Sequence, residues 1–378
     1  MTERATSYIG LGSNLGDRKG LLLDALRLLG ADGDIEVTRV SELKETLPLG
    51  GMDQPKYVNG VAEIRTTLKP AELMARLKAV ETTLGRQPQT SWKPRTVDLD
   101  LLFFDDQVLD GPDLTVPHPD IHLRSFVLDG LCQLNSQFVH PVLQETVAEL
   151  SRRLGGGDFL LDPQSPRLVC VAGVIGVGKT TLAKCLGRSL PAEVLFEPYD
   201  TNPFLSQVYA GKKELALDSQ LYFLVHRSEQ LNPDNLPLDR AFVTDYVFSK
   251  ELIYARRLLN GEQLRLYERI YPLFAARVAT PSVVIYLEDS PANCLERIHN
   301  RNRPYEQRMK LEFLEALDAD YKRLFADWKA CPVIRIPAER LAGYCDEVVD
   351  HVVRQVRAYL PVEKKPTICA KHGLEKCL

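Results

Sequence analysis

Residues 173–181 read GVIGVGKTT, with glycines at 173, 176 and 178 followed by Lys179, Thr180 and Thr181. Gly173, Gly178, Lys179 and Thr180 satisfy G-x-x-x-x-G-K-[ST], after an apolar strand and at the start of a helix. In such a turn backbone N–H groups and a helix N-terminus cradle phosphate. Lys179 would lie on the β/γ oxygens of ATP and Thr180 on Mg²⁺. The loop alone admits a GTPase, a motor ATPase or a small-molecule kinase. No NKxD-like guanine reader and no hydrophobic run ending in DE is present, which disfavours the first two. LFEPYDTNPF places Glu197 at the carboxyl end of the next strand, where sheets of this type bind ligands. A carboxylate facing phosphates there can take the proton from an acceptor hydroxyl.

A second chemistry is written upstream. VDLDLLFF sets Asp98 and Asp100 two residues apart, so on a strand both carboxylates point to one face. They repel unless a cation lies between them, and oxygen ligands of this kind suit Mg²⁺ held jointly with substrate phosphates. DxD alone also fits a solvated edge strand of alternating charge. Its surroundings favour the metal reading: WKPRT brings Trp92 and Arg95, and TVPHPDIHLRSF brings His118, Arg124 and Phe126.

The elements that must position these residues fall into two sets. Before RRLGGGDFLLDPQSPR (152–167), which can continue neither helix nor central strand, the order is strand 7–13, helix 17–29, extended 35–47 and 57–68, helix from Pro70, and strand 97–104. This β-α-β-β-α-β order predicts a ferredoxin-like α+β domain, closed by helical segments at 127–134 and 143–154. After it, strands 167–173, 192–198, 241–246, 282–289 and 333–338 alternate with helical segments. That alternation predicts an α/β domain with a parallel, doubly wound sheet. Domains are expected at 1–154 and 167–360, with a linker at 155–166 and a disordered tail at 361–378. The tail's Cys369, His372 and Cys377 lack a fourth zinc ligand.

Composition limits the partners. The 378-residue chain carries a formal net charge of −4 and is 45% hydrophobic, enough for two full cores. Neither half has the basic excess of a protein that grips nucleic acid polymers. The eight cysteines are scattered with no CxxC pair, which predicts reduced thiols and a cytoplasmic location. No signal peptide and no apolar run near the ~18 residues of a membrane span is expected. His122 and His140 are expected to be surface or helix-end histidines.

The first half resembles 6-hydroxymethyl-7,8-dihydropterin pyrophosphokinase. The likeness runs through GLGSNLGDR (10–18), TLPLGGMDQPKYVN (46–59), ETTLGR (81–86), PRTVDLDLLFF (94–104) and LTVPHPDIHLRSF (114–126). The family transfers the β,γ-pyrophosphate of ATP to the pterin hydroxymethyl group and releases AMP. The resemblance implies two Mg²⁺ ions on Asp98 and Asp100, and a pterin ring between Tyr57 and Phe126. Asn59 and the backbone near Thr46 and Leu49 would read the pterin edge. Arg86, Arg95, His118 and Arg124 would hold the triphosphate, and Glu81 would position the ATP-side loop. Two departures stand in that loop, RQPQTSW: it has one arginine before Trp92, and Lys93 follows the tryptophan where glycine is often found.

The second half resembles the deoxynucleoside kinases. RIHNRNRPYEQ, with Arg297, Arg301 and Arg303, is similar to the lid of small kinases. FEPYD, the spacing from Tyr209 to Gln220 to Arg227, and the strand-end Asp245 extend the match. The resemblance implies Glu197 as base on the 5′-hydroxyl, Tyr209 and Glu306 on the sugar 3′-hydroxyl, and Gln220 on the nucleobase. Arg227 would lie at the base's rim with Glu251 as second reader, and Asp245 would face Mg²⁺. An arginine–carboxylate pair there predicts a purine deoxynucleoside or deoxycytidine over thymidine. The family's Asp/Glu-Arg-Ser is Asp245-Tyr246-Val247 here, so an arginine near the reacting oxygen is missing, and Lys250 one helical turn on is the candidate replacement.

A bifunctional enzyme is therefore expected, with a homodimer formed through the kinase domain. Two alternatives stay open for the second domain: a nucleotide-binding or dimerisation module without turnover, or a nucleoside monophosphate kinase.

Overall fold

The structure, a computed structural model, describes residues 4–51, 53–87, 93–304, 306–344 and 346–361. Trp92 and the expected tail with Cys369, His372 and Cys377 lie outside these residues. The chain divides into two compact units, Met1–Leu160 with Leu324–Ile334, and Leu161–Arg323 with Arg335–Leu378.

The first unit opens with β1 (Ala5–Ser13), α1 (Arg18–Leu29), β2 (Ile35–Val40), β3 (Lys44–Thr46), β4 (Tyr57–Thr66), α2 (Pro70–Thr83) and β5 (Asp98–Phe104). The sheet order is β2-β4-β1-β5, with β3 also on β4, and these pairs are antiparallel. This is the split β-α-β arrangement that the element order predicts. Apolar residues at helical spacing, Leu22, Leu26 and Leu29 of α1 and Leu73, Leu77 and Val80 of α2, close over Ile9, Leu11, Ile64 and Leu99 of the sheet. The extended stretch expected at 35–47 is interrupted between β2 and β3. Ser41 carries the break: its N–H donates to Val61 O at 2.8 Å, and its Oγ accepts from Val61 N at 2.9 Å.

A short hairpin of β6 (Leu109–Asp110) and β7 (Thr115–Val116), which the residue pattern did not announce, leads to α3 (Ser125–Asn135) and α4 (Val147–Leu154). The last helix starts later than the predicted 143–154. Thr146 Oγ1 accepts from Glu149 N at 3.2 Å and caps it there.

The second unit comprises β8 (Arg167–Ala172), α5 (Lys179–Ser189), β9 (Ala192–Leu195), α6 (Leu205–Tyr209), α7 (Ala216–Gln230) and β10 (Ala241–Thr244). It continues through α8 (Lys250–Leu258), α9 (Gly261–Ala275), β11 (Val283–Glu288), α10 (Pro291–Asn300), α11 (Leu311–Ala326), β12 (Val333–Pro337) and α12 (Asp346–Arg357), with α11 from Leu324 and β12 up to Ile334 grouped in the first unit. The sheet order is β12-β11-β8-β10-β9, with β8 parallel to β10 and β11, and β10 parallel to β9. The chain winds outward on both sides of β8, so a ligand crevice opens at that strand's carboxyl end.

The glycine-rich loop leaves from that point. Gly173 has φ +139°, and a Cβ on it would stand 2.7 Å from Leu287 O. Gly176 has φ +84°, and a Cβ there would stand 2.4 Å from Cys294 O. Only glycine meets both the positive φ and the close backbone approach. The expectation omitted α11, although Leu314, Leu317, Tyr321 and Phe325 are buried at helical spacing. Among the described residues no helix is long and apolar enough to cross a membrane.

Candidate active sites

In the first unit a cavity of about 470 Å³ opens over β1 and β5. Asp98 and Asp100 both line it, while Leu99 and Leu101 between and beyond them point into the core. Gly12 pairs with Asp98 across the sheet and Gly10 with Asp100. A Cβ on Gly12 would come within 3.0 Å of Asn59 Oδ1 and 3.5 Å of Asp98 Cβ. The two glycines thus keep the cavity floor open. Alternation along the sequence puts both on one face of β1, and the pairing with β5 decides that it is the aspartates' face.

Asp98 is fully engaged by guanidinium groups. Arg86 Nη1 donates to its Oδ1 at 2.5 Å and Arg95 Nη1 to its Oδ2 at 2.6 Å. Asp100 is more open, with Arg124 Nη1 at 3.9 Å. Burial works against the charge on Arg86, but Asp98 and Glu81 outweigh it and hold the guanidinium pKa above its ordinary value. Glu81 does not line the cavity. It is 3% exposed, accepts from Leu99 N at 2.7 Å and Lys78 Nζ at 2.8 Å, and pairs with Arg86 at 2.6 Å, so it acts from behind Arg86. Burial raises its pKa.

Burial also lowers the pKa of His118, against the pull of Asp100. Its Nδ1 accepts from Asp120 N at 3.2 Å, so the neutral ring carries its proton on Nε2 and can donate from there. His118, Arg124, Tyr57, Asn59, Leu49 and Phe126 all border the same cavity. Thr46 stands behind: its Oγ1 accepts from Asn59 Nδ2 at 2.6 Å and orients that amide. Leu47 and Pro48, not singled out from the sequence, complete the wall.

Asn14 was also passed over. It is 2% exposed. Its Oδ1 accepts from Arg95 N at 2.7 Å, and its own N–H donates to Arg95 O at 3.1 Å. Its Nδ2 reaches Gln54 Oε1 and Pro55 O, both at 3.4 Å. One side chain therefore ties the backbone that carries Arg95 to the loop before Tyr57. His122 and His140, expected at the surface or at a helix end, are instead buried, away from the cavity, where the fold packs them against one another. Burial, and His122 beside it, push the His140 pKa down to about 3.

In the second unit a cavity of about 110 Å³ lies at the carboxyl ends of β8 and β9. Gly176, Lys179, Thr180, Glu197 and Asp245 line it, as do Tyr209, Gln220, Arg227, Arg301, Arg303 and Glu306. Lys179 Nζ donates to Val174 O at 2.7 Å, closing the loop on itself. Burial and the neighbouring Lys250 lower its pKa to about 8. Thr180 Oγ1 donates to Asp245 Oδ2 at 2.6 Å, and Glu197 N donates to Asp245 Oδ1 at 2.9 Å.

Glu197 sits among cations. Lys250 Nζ donates to both of its carboxylate oxygens at 2.7 Å, and Arg227 Nη2 donates to Oε1. Burial disfavours the carboxylate, yet Arg227 and Lys250 more than offset this and hold its pKa far below the ordinary carboxylate range. Tyr246, at the position of the missing arginine, is fully buried and donates to Gln230 Oε1 at 2.8 Å. Lys250 supplies one of the two cations at Glu197, and Arg227 the other.

Several expected residues stand outside the cavity wall. Glu251 is 0% exposed: it accepts from Arg227 Nη1 and from Tyr267 Oη, so it braces Arg227 from behind. Arg297 pairs with Asp289 at 2.6 Å and reaches Gly176 O at 3.5 Å, on the outer side of the glycine loop. Gly173, Gly178 and Thr181 shape or follow the loop without lining the cavity. Glu306 accepts from Arg301 Nε at 2.7 Å. Tyr199, Phe223 and Tyr254 also line the cavity, and sequence reasoning named none of them. Tyr199 stood in the quoted FEPYD, and its ring lies 4.2 Å from the Arg303 guanidinium.

Two families match, over separate stretches of the chain. A family model for 7,8-dihydro-6-hydroxymethylpterin-pyrophosphokinase covers residues 8–136, and one for deoxynucleoside kinase covers residues 169–361. The chain is 42% identical over 131 residues to a 2-amino-4-hydroxy-6-hydroxymethyldihydropteridine pyrophosphokinase of Bacillus subtilis (strain 168), covering 35% of this chain and 78% of that protein. It is 34% identical over 157 residues to a deoxyguanosine kinase of the same organism, covering 41% of this chain and 76% of that one. Its match to a bifunctional protein FolKE of Lactococcus lactis subsp. lactis (strain IL1403) is 36% identical over 148 residues. That match covers 39% of this chain and only 42% of the relative.

Proposed function

Because the chain belongs both to the 7,8-dihydro-6-hydroxymethylpterin-pyrophosphokinase family and to the deoxynucleoside kinase family, we propose that it is a bifunctional enzyme whose two units use ATP on two different hydroxyl groups. In the first unit a flat pterin lies between the rings of Tyr57 and Phe126, with Asn59 fixed by Thr46 to read its edge. The pterin hydroxymethyl oxygen bonds to the β-phosphorus of ATP, the bond from that phosphorus to the α–β bridging oxygen breaks, the hydroxyl proton passes to solvent, and AMP leaves. Arg86, Arg95, Arg124 and His118 Nε2–H hold the phosphate charge. The observation that carries this reading is the placement of Asp98, Asp100 and those cations around one cavity.

Asp98 and Asp100 fit Mg²⁺: they offer only carboxylate oxygens, side by side, with room for phosphate and water to complete the shell. Thr180 and Asp245, with oxygens 2.6 Å apart beside the glycine loop, fit a second such site. Bound there, the ion offsets charge on the transferring phosphates.

In the second unit Lys179 and Glu197 line one cavity. The nucleoside 5′-oxygen bonds to the γ-phosphorus, the bond to the β–γ bridging oxygen breaks, and the hydroxyl proton passes to Glu197. Arg301 and Arg303 close over the phosphate, and Tyr209 and Glu306 receive the sugar. Glu251 stands behind Arg227 and does not read the base as the sequence suggested, so only the guanidinium faces it; Arg227 supports a purine deoxynucleoside or deoxycytidine over thymidine, because thymine brings a methyl group and a ring N–H where those bases bring ring-nitrogen acceptors.

The decisive experiment incubates the protein with ATP and, in turn, hydroxymethyl-dihydropterin, four deoxynucleosides and their monophosphates. AMP should form with the pterin and ADP with a deoxynucleoside. Nucleotide binding without turnover would make the second unit a binding module, and consumption of monophosphates would make it a monophosphate kinase. A homodimer through the second unit is supported by Leu266 and Leu273, two turns apart on α9 and 45% and 67% exposed. Sedimentation tests it. The free thiols Cys132, Cys170, Cys185, Cys294 and Cys331 support a cytoplasmic location.

A further inference from the structure

Arg227 makes two ion pairs at once, and they are unequal. Nη1 meets Glu251, whose other oxygen is held by Tyr267 Oη, with Glu251 and Tyr267 fully buried. Nη2 meets Glu197, which lies two residues past the end of β9, is 19% exposed at its side chain, and has Lys250 as a second partner. The guanidinium lies over the Phe223 ring at 4.3 Å, so its plane is pinned. The Glu251 end is an anchor, and the Glu197 end is the one that can yield.

A third observation points to what makes it yield. Arg227 lines the cavity and is 2% exposed, yet its Nε–H has no hydrogen-bond partner among the described residues. A buried donor left unpaired is costly. In the planar fork Nε and Nη2 form one edge and Nη1 and Nη2 the other. Two neighbouring acceptors seated on the Nε–Nη2 edge satisfy the orphan donor and compete with Glu197 for Nη2. Guanine presents such a pair in N7 and O6, and cytosine in N3 and O2. Thymine and adenine do not.

We propose that Arg227 couples nucleobase recognition to the catalytic base. In the unliganded site it shares Oε1 of Glu197 with Lys250, and a base with two adjacent acceptors draws it away, which opens a lone pair on that oxygen to accept the 5′-hydroxyl proton. Arg227 is then a positioning residue for proton transfer as well as a specificity residue. Glu251 and Tyr267 keep it in place through both states, and Lys250 keeps Glu197 directed at the reacting centre when Arg227 leaves. This inference rests on the kinase reading above.

The coupling separates kcat from KM. A contact that only binds the base changes KM, whereas a contact that releases Glu197 changes turnover at saturation. The test measures both constants with ATP for 2′-deoxyguanosine, its 7-deaza analogue and base-less 1,2-dideoxyribose, in the unmodified 378-residue chain and in Arg227→Met. In the unmodified protein kcat at saturation should fall about ten-fold or more for the two analogues, an effect of the size expected when a proton acceptor is only partly available. In Arg227→Met the three kcat values should converge, with the base-less sugar turning over faster than it does in the unmodified protein. Arg227→Lys, which keeps a cation beside Glu251 but has no fork, should converge likewise and serves if the methionine variant does not fold. Equal kcat for all three substrates in the unmodified protein, or an unchanged ratio in the variants, overturns the coupling while leaving the kinase reading intact. Failure of the unmodified protein to phosphorylate any nucleoside overturns the kinase reading itself.

Discussion

Lys250 sets its ammonium 2.7 Å from both carboxylate oxygens of Glu197, at a site where the neighbouring Tyr246 has turned its hydroxyl away to Gln230. A lysine on α8 thus stands where the family pattern has an arginine in the preceding turn. Lys250→Met should lower kcat for nucleoside phosphorylation about 10²-fold, the usual effect of removing one cation from a developing phosphoryl charge. Lys250→Arg should recover part of that loss. A methionine variant that turns over at the normal rate would remove Lys250 from the mechanism.

Glu197 and Lys179 share a cavity but have separate tasks. Glu197→Gln should retain ATP binding and lower nucleoside turnover by ~10²–10⁴. Lys179→Ala should lose ATP-dependent nucleoside phosphorylation altogether. Neither change should alter AMP formation from the pterin. Parallel assays of both activities on the same preparations check this, and a joint loss would contradict two separate sites.

Asp98 is matched to Arg86 and Arg95 before any phosphate arrives. Asp98→Asn or Asp100→Asn should abolish AMP formation from ATP and hydroxymethyl-dihydropterin while nucleoside phosphorylation continues. The asparagine change is preferred to alanine at 98 because it leaves an acceptor for the two guanidiniums. Near-normal AMP production in either variant would refute the assignment of the two carboxylates.

Asn14 fixes the main chain of Arg95 from both sides. Asn14→Ala removes the side-chain bond and leaves a buried amide unpaired, so about ten-fold should be lost from the pyrophosphokinase kcat/KM, in line with one buried hydrogen bond. Thermal unfolding distinguishes this from general damage. A large drop in Tm with unchanged kcat/KM would make Asn14 a stability residue only.

Both element orders, the glycine-rich loop and the aspartate pair could be read from the sequence, because each is a local code. Strand alternation puts Asp98 and Asp100 on one face, and the spacing of Gly173, Gly178, Lys179 and Thr180 describes a turn opening a helix. Even α11 was legible in the spacing of Leu314, Leu317, Tyr321 and Phe325. Other features depend on contacts between distant residues, and no local pattern encodes those. Gly10 and Gly12 acquire their meaning only from the register that sets them across from Asp100 and Asp98. Asn14 reaches Arg95 over 81 positions, and Lys250 reaches Glu197 over 53. Nor could spacing show that Glu251 lies behind Arg227, or that Arg227 touches Glu197 at all. Burial and charge pairing across the folded sheet decided those partners, since a buried ion takes whichever counter-charge the packing brings within reach.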